Sequence, residues 1–318
     1  MTTSWNRPML LFAGLMGVMT VVCVGGLLFD DRILIGAPIW AKPFKFAVSM
    51  GIYCLTWAWL ASLVARGRRL VNLVSAGVVA MLAVEYVIIV GQTVRGRPSH
   101  FDVGTSFDRL LYIIMAISAG SLWLGTLALS VPLMRTPIIG AANRLAIRLG
   151  AVIALIGIGI AVLMTTPRPG QPGAQGVVGA HSVGVADDGP GLPILGWSTT
   201  GGDLRIPHFF GMHALQALPL FALLLGRLAR RFPRLRTERV QTRLVAIAAA
   251  VYVALLALVT WQALRGQSIV HPDALTLGVL AALVVGAAGG TLITLTRRDA
   301  VPLPEPGLAK TATREVVR

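Results

Sequence analysis

The sequence predicts an all-α protein that crosses a membrane about eight times. Three observations carry that prediction. Apolar runs of about 20 residues recur along the chain, the length that a ~30 Å hydrocarbon core demands of a helix. Hydrophobic residues make up 55% of the chain and charged residues 13%, which excludes an ordinary soluble domain. The cations gather in the stretches between the runs, where they set topology.

The spans follow in order. Met9–Phe29 is too long for a signal-peptide core and no A-x-A site follows it, so it reads as a retained first helix. Next come Pro43–Val64, Leu70–Val94, Arg109–Leu133 and Leu145–Thr166. Pro207–Leu228, Leu244–Leu264 and Ala274–Thr296 complete the set. Cys23 and Cys54 each fall inside a run and read as buried thiols.

Sorting the 28 Lys and Arg residues by side puts 19 with the termini and the even-numbered connections, and 9 with the odd-numbered ones. The richer side should be cytoplasmic, so both termini are expected inside a plasma-membrane protein. The net charge of +15 then points to anionic lipid headgroups at the basic cytoplasmic loops. The chain has no nucleic-acid motif, so no nucleic-acid partner is expected.

The two halves share an ordered set of features. Gln92-x-x-Arg95-Gly96 ends the third span and Gln262-x-x-Arg265-Gly266 ends the seventh. Asp108 opens the fourth span with Gly-Thr-Leu 17 residues later, and Asp273 opens the eighth with the same triplet at the same spacing. Pro43-x-x-Phe46 opens the second span and Pro207-x-x-Phe210 the sixth, so the offsets are 170, 165 and 164. Such matches predict a 4+4 parallel internal repeat with a pseudo-two-fold axis along the membrane normal. The halves would be residues 1–137 and 138–298, the second holding a long outer loop at 167–206. Residues 299–318, with spaced prolines and mixed charge, read as a disordered cytoplasmic tail.

All five histidines fall on the outward side of this topology: His100, His181, His208, His213 and His271. His213 is expected ~9 Å below the outer end of its span, with Gln216 on the same helical face and Pro219 as a kink. His208 lies five residues before it and so does not form an i, i+4 ligand pair with it. Glu85 is the sole acid deep in a span, ~14 Å below the outer end by helical rise. Burying a carboxyl there is costly, which points to a proton carrier; its structural alternative is an ion pair with Lys45.

These residues define an expected outward-facing polar cavity between spans two, three, six and eight. Glu85 and His213 are its candidate catalytic groups. His100, His208, His213 and His271 are candidate ligands for a haem or a divalent metal. Gln92, Gln216, Lys45 and Arg95 are candidate substrate contacts. His181 with Asp187, Asp188 and Asp203 forms a second, looser set of cation ligands.

The leading expectation is a haem- or metal-linked membrane redox protein. The layout resembles that of haem A synthases in its histidines near the outer ends of even spans, but their sequence motifs are absent and the second span has no histidine. The alternatives are a proton-coupled transporter of a small solute using Glu85, a membrane-embedded hydrolase or lipid-modifying enzyme, and a structural assembly factor.

Overall fold

The computed structural model describes residues 5–166, 171 and 175–297. The expected tail at 299–318 lies outside them. The described chain is mostly helical, with strand confined to two short antiparallel pairs. It forms a multi-pass membrane protein: among the described residues seven helices are long and apolar enough to cross a bilayer, and one further pair, bent by 44°, passes the same test together.

The first half comprises α1 (Arg7–Phe29), α2 (Ala41–Leu63), α3 (Arg68–Arg95) and α4 (Ser106–Arg135). Asn6 caps α1 by accepting from the Met9 amide at 3.2 Å, and its own amide donates to Asn72 of α3 at 3.0 Å. The second half begins with α5 (Ala141–Gly159), extended by the short α6 (Val162–Thr165). Then come α7 (Arg205–Met212) and α8 (Ala214–Leu228), followed by α9 (Glu238–Leu264) and α10 (Ala274–Thr296).

Helix pairing is the same in both halves. The first helix of each packs on the second, the third on the fourth, and the first also touches the third; α7 and α8 together act as the second helix of their half. One core lies among α1, α2, α3 and α4 around Trp57, Leu60 and Leu82, all 2% exposed or less. Another lies among α5, α8 and α9 around Leu218 and Val245. α10 packs on α9 and leaves Val284 and Val285 exposed at 59% and 71%, an apolar surface suited to lipid.

The shared Gln-x-x-Arg-Gly motif builds one corner twice. Gly96 and Gly266 take left-handed φ values of 68° and 71°, which end their helices. The Gln92 side-chain amide donates to the Pro98 carbonyl at 3.2 Å, and that of Gln262 to Ser268 at 2.9 Å. Arg95 then pairs with Asp108, and Arg265 with Asp273. The aspartates differ in detail. Asp273 is the N-cap of α10, whereas α4 starts earlier than expected, is capped by Thr105, and holds Asp108 inside its first turn.

The sixth span also departs from expectation. Its bend of 44° falls at His213, six residues before Pro219, which sits inside regular helix. The cause is close backbone packing. A Cβ on Gly157 of α5 would lie 2.2 Å from the Gly211 carbonyl carbon, and one on Gly150 would lie 2.8 Å from the Ala214 carbonyl oxygen. The two glycines draw α7 and α8 onto α5, and His213 absorbs the turn at φ −81°, ψ 0°.

The long fifth connection is a folded cap over one end of the bundle. Ser182–Val183 pairs with Gly202–Asp203, Gly191 bridges Ser198, and Val177 bridges Asp102. The first connection adds a hairpin, Ile33–Leu34 with Ala37–Pro38, whose turn touches the cap at Asp188.

Candidate functional site

A cavity of about 1180 Å³ opens at the histidine-bearing end, between the two halves. Its walls come from α2, α3, α4, α5 and α7, and the cap roofs it. The expected walls were spans two, three, six and eight. The eighth span is absent from the lining because α10 packs on the far side of α9. Spans four and five replace it. On α4 the small residues Ala116, Ala119 and Gly120 follow helical spacing and leave the space that larger side chains would fill.

The cavity is strongly graded. Its floor is apolar, built from residues such as Met50, Leu82, Met115 and Trp123. Its rim carries Lys42, Lys45, Arg97 and Arg205, with His100, His181 and His208 beside them. The first two turns of α2 supply both lysines. Lys45 Nζ donates to the Leu195 carbonyl of the cap at 2.6 Å. Arg205 is committed to Asp203 and to the Gly196 carbonyl, and Arg97 to Asp102 and Asp108. Lys42 lines the cavity and makes no hydrogen bond or ion pair among the described residues, so its amine hydrogens are open to a ligand.

Glu85 lines the cavity at its apolar level, on the α3 face that also presents Leu82. It is 6% exposed and its Oε1 is buried without a hydrogen-bond partner. The ion pair with Lys45, the structural alternative for this carboxyl, does not form, because Lys45 reaches the cap instead.

The rim histidines are distinct in their bonding. His208 Nδ1 donates to the Gly157 carbonyl at 2.8 Å, a bond the close α5–α7 approach makes possible. His181 Nδ1 lies 2.7 Å from Asp187 Oδ2. Asp187 is itself fixed by the His181 and Ser182 amides at 3.0 and 2.7 Å. Burial opposes its ionisation, but the His181 contact and these amides hold its carboxyl well below the usual range. Burial pushes the His181 imidazole down, against the pull of Asp187, and Arg205 and Lys42 add to the depression. Burial likewise drives His100 well below its ordinary value, and Lys42, His181 and His208 repel its charged form. Both shifts favour the neutral ring, the form in which an imidazole can accept a proton.

Of the expected site residues, Glu85, His100, His208 and Lys45 share this cavity, together with His181 and Asp187 of the looser set. The others lie elsewhere. Gln92 and Arg95 are used up in the corner between α3 and α4, where both bond Asp108. His213 and Gln216 form a side-chain relay to Thr56 of α2, at 3.3 and 3.1 Å, outside the cavity lining. His271 is exposed in the opposite corner, among Ser268 and the start of α10. Among the described residues no three His, Cys, Asp or Glu side chains converge as a metal site. Asp203, from the looser set, is taken by Arg205 and the Ser198 amide.

Arg205 is a lining residue that sequence reasoning left out, whereas Asp187 was expected beside His181 among the looser cation ligands. Lys42 had a readable signal, a cation at the mouth of a span three residues from Lys45. The pairing of His181 with Asp187 had none, since an irregular loop has no periodicity from which to fold it. Comparisons of this chain with protein-family models, curated proteins and solved structures give no match.

Proposed function

We propose that this protein binds an anionic amphiphile, a long-chain molecule with a phosphate or carboxylate head, taken from the outer leaflet of the plasma membrane. The observation that carries the reading is the grading of one cavity, with an uncommitted lysine at its rim and an apolar floor beneath. A head group at Lys42 gains a hydrogen-bond donor without displacing an existing hydrogen bond. A hydrocarbon tail along the floor gains about 0.8 kcal/mol per methylene transferred from water. The volume, about 1180 Å³, lies above the ~300–1,000 Å³ typical of small-ligand pockets and suits a lipid-sized guest.

A lateral route supports the same reading. Leu124 of α4 and Ile156 of α5 line the cavity yet are 61% and 52% exposed on the bundle exterior. A tail can enter between those helices without crossing water. The orientation follows from the cation count, with the arginine-rich connection at 227–243 on the cytoplasmic side.

Isothermal titration of the purified protein with dodecylphosphonate tests the proposal, with dodecyltrimethylammonium as the control. The phosphonate is expected to bind and the cation to fail. Lys42→Ala should weaken phosphonate binding about tenfold, the equivalent of ~1.4 kcal/mol for one partly buried charge contact. Gly120→Trp should weaken it by obstructing the floor. Equal binding of both amphiphiles would overturn the assignment.

Glu85 favours a second reading, in which binding is coupled to proton movement. A carboxyl in an apolar wall with an unpartnered oxygen is costly to keep and suited to carrying a proton. Titrations in buffers of different ionisation enthalpy should then report proton exchange on binding. Glu85→Gln should remove it.

A further inference from the structure

We propose that His181 and Asp187 form a general-base dyad that hydrolyses a phosphoester in the head of the amphiphile held at Lys42. This rests on the binding proposed above and adds a reaction to it. Asp187 is pinned by two backbone amides and presents Oδ2 to His181 Nδ1 at 2.7 Å. An ionised carboxylate accepts only, so Nδ1 carries the ring proton and Nε2 keeps its lone pair. Nε2 makes no hydrogen bond among the described residues, and the ring lines the cavity. Phe101 packs against the imidazole at 5.2 Å between centroids and fixes its plane. A base held by a third group beside a substrate cavity is the arrangement that proton abstraction requires.

The surroundings fit phosphorus chemistry. The charged and titratable groups that act on His181 are Asp187, Arg205, Lys42, His100 and His208. Arg205 is occupied by Asp203 and His208 by the Gly157 carbonyl. Lys42 is left to oppose the negative charge on the phosphoryl oxygens. His181 Nε2 takes a proton from water as the water oxygen bonds to phosphorus. The phosphorus–oxygen ester bond breaks, and its electron pair leaves on the ester oxygen. The imidazolium returns the proton to that oxygen. One water is consumed, an alcohol and a phosphate monoester are formed, and no oxidant or metal is needed for balance.

The test uses the full chain in lipid nanodiscs with dodecyl 4-nitrophenyl phosphate as substrate and dodecylphosphonate, whose carbon–phosphorus bond resists hydrolysis, as binding probe. The wild type is expected to release 4-nitrophenolate. His181→Gln should lower kcat/KM by about 10²–10⁴-fold while phosphonate affinity stays within about twofold. Asp187→Asn tests positioning through the pH profile. The base works when neutral, so activity rises with pH through the imidazole pKa. Removing the carboxylate lowers that pKa, and the acid limb should move to lower pH. If Asp187→Asn loosens the cap and loses phosphonate binding, His181→Gln decides alone. Phosphonate binding without 4-nitrophenolate release, or release unchanged in His181→Gln, overturns the dyad and leaves the binding proposal standing. Absence of phosphonate binding in the wild type overturns both.

Discussion

Single residues at the cavity carry strain that the fold offsets elsewhere. Ile35, Phe101 and Ile194 are the described non-glycine residues with left-handed backbones, at φ 48°, 64° and 64°, and all three line the cavity. For a β-branched or aromatic side chain such geometry costs on the order of 1–3 kcal/mol, and it persists where surrounding contacts fix the backbone. Ile194→Gly should therefore raise thermal stability in detergent by roughly 1 kcal/mol, since glycine adopts this φ freely. Glu85 is strained chemically rather than sterically. Glu85→Leu should also raise the melting temperature, by removing a buried carboxyl oxygen that has no partner, and it should abolish any proton exchange on binding. At this scale the sequence was informative about Glu85, because an acid inside an apolar run is conspicuous. It was uninformative about Ile35, Phe101 and Ile194, whose residue types give no hint of left-handed backbone.

At the scale of elements, glycines decide where helices meet. Gly157→Ala would drive a methyl group into the Gly211 backbone, and backbone cannot rotate away as a side chain can. The expected cost is roughly 1–3 kcal/mol of stability, together with loss of the His208 bond to the Gly157 carbonyl, read as a lowered unfolding temperature and weakened phosphonate binding. The spans themselves were legible from length and hydropathy to within about four residues, except that α9 begins at Glu238, ahead of the expected Leu244. The bend at His213 was not, because it arises from the contact between α5 and α7 rather than from Pro219 within the helix. The repeated corner shows the opposite case. Gln92-x-x-Arg95-Gly96 and its counterpart at Gln262 were visible as strings, and each builds the same local bonds. Their role was misjudged for Gln92 and Arg95, since a polar side chain near a span end reads alike whether it faces a ligand or closes a turn.

Across the whole molecule, the two halves share a pairing scheme but not a cavity. The space opens where α4 and α5 meet, at the join between halves, and the cap that roofs it comes from the second half alone. The histidines illustrate how far a topological reading extends. Their common end of the bundle followed from sorting loops by charge, but three of them, His100, His181 and His208, line the space while His213 and His271 do not. Only packing between non-adjacent helices makes that division. Orientation is directly testable because Cys23 and Cys54 are both buried and leave little background for thiol labelling. A cysteine at Thr200 should react with an impermeant maleimide from outside intact cells, and one at Arg234 only after permeabilisation.

The Lys45 bond to the Leu195 carbonyl ties the roof of the cavity to its wall through one ammonium group. An anion that recruits Lys45 competes with that carbonyl for the same protons. Occupancy and roof attachment then become opposed equilibria, so a filled site is announced at the capped end of the bundle. Amide hydrogen exchange in the segment around Leu195 would record the guest as faster exchange, against the slowing that ligands ordinarily bring.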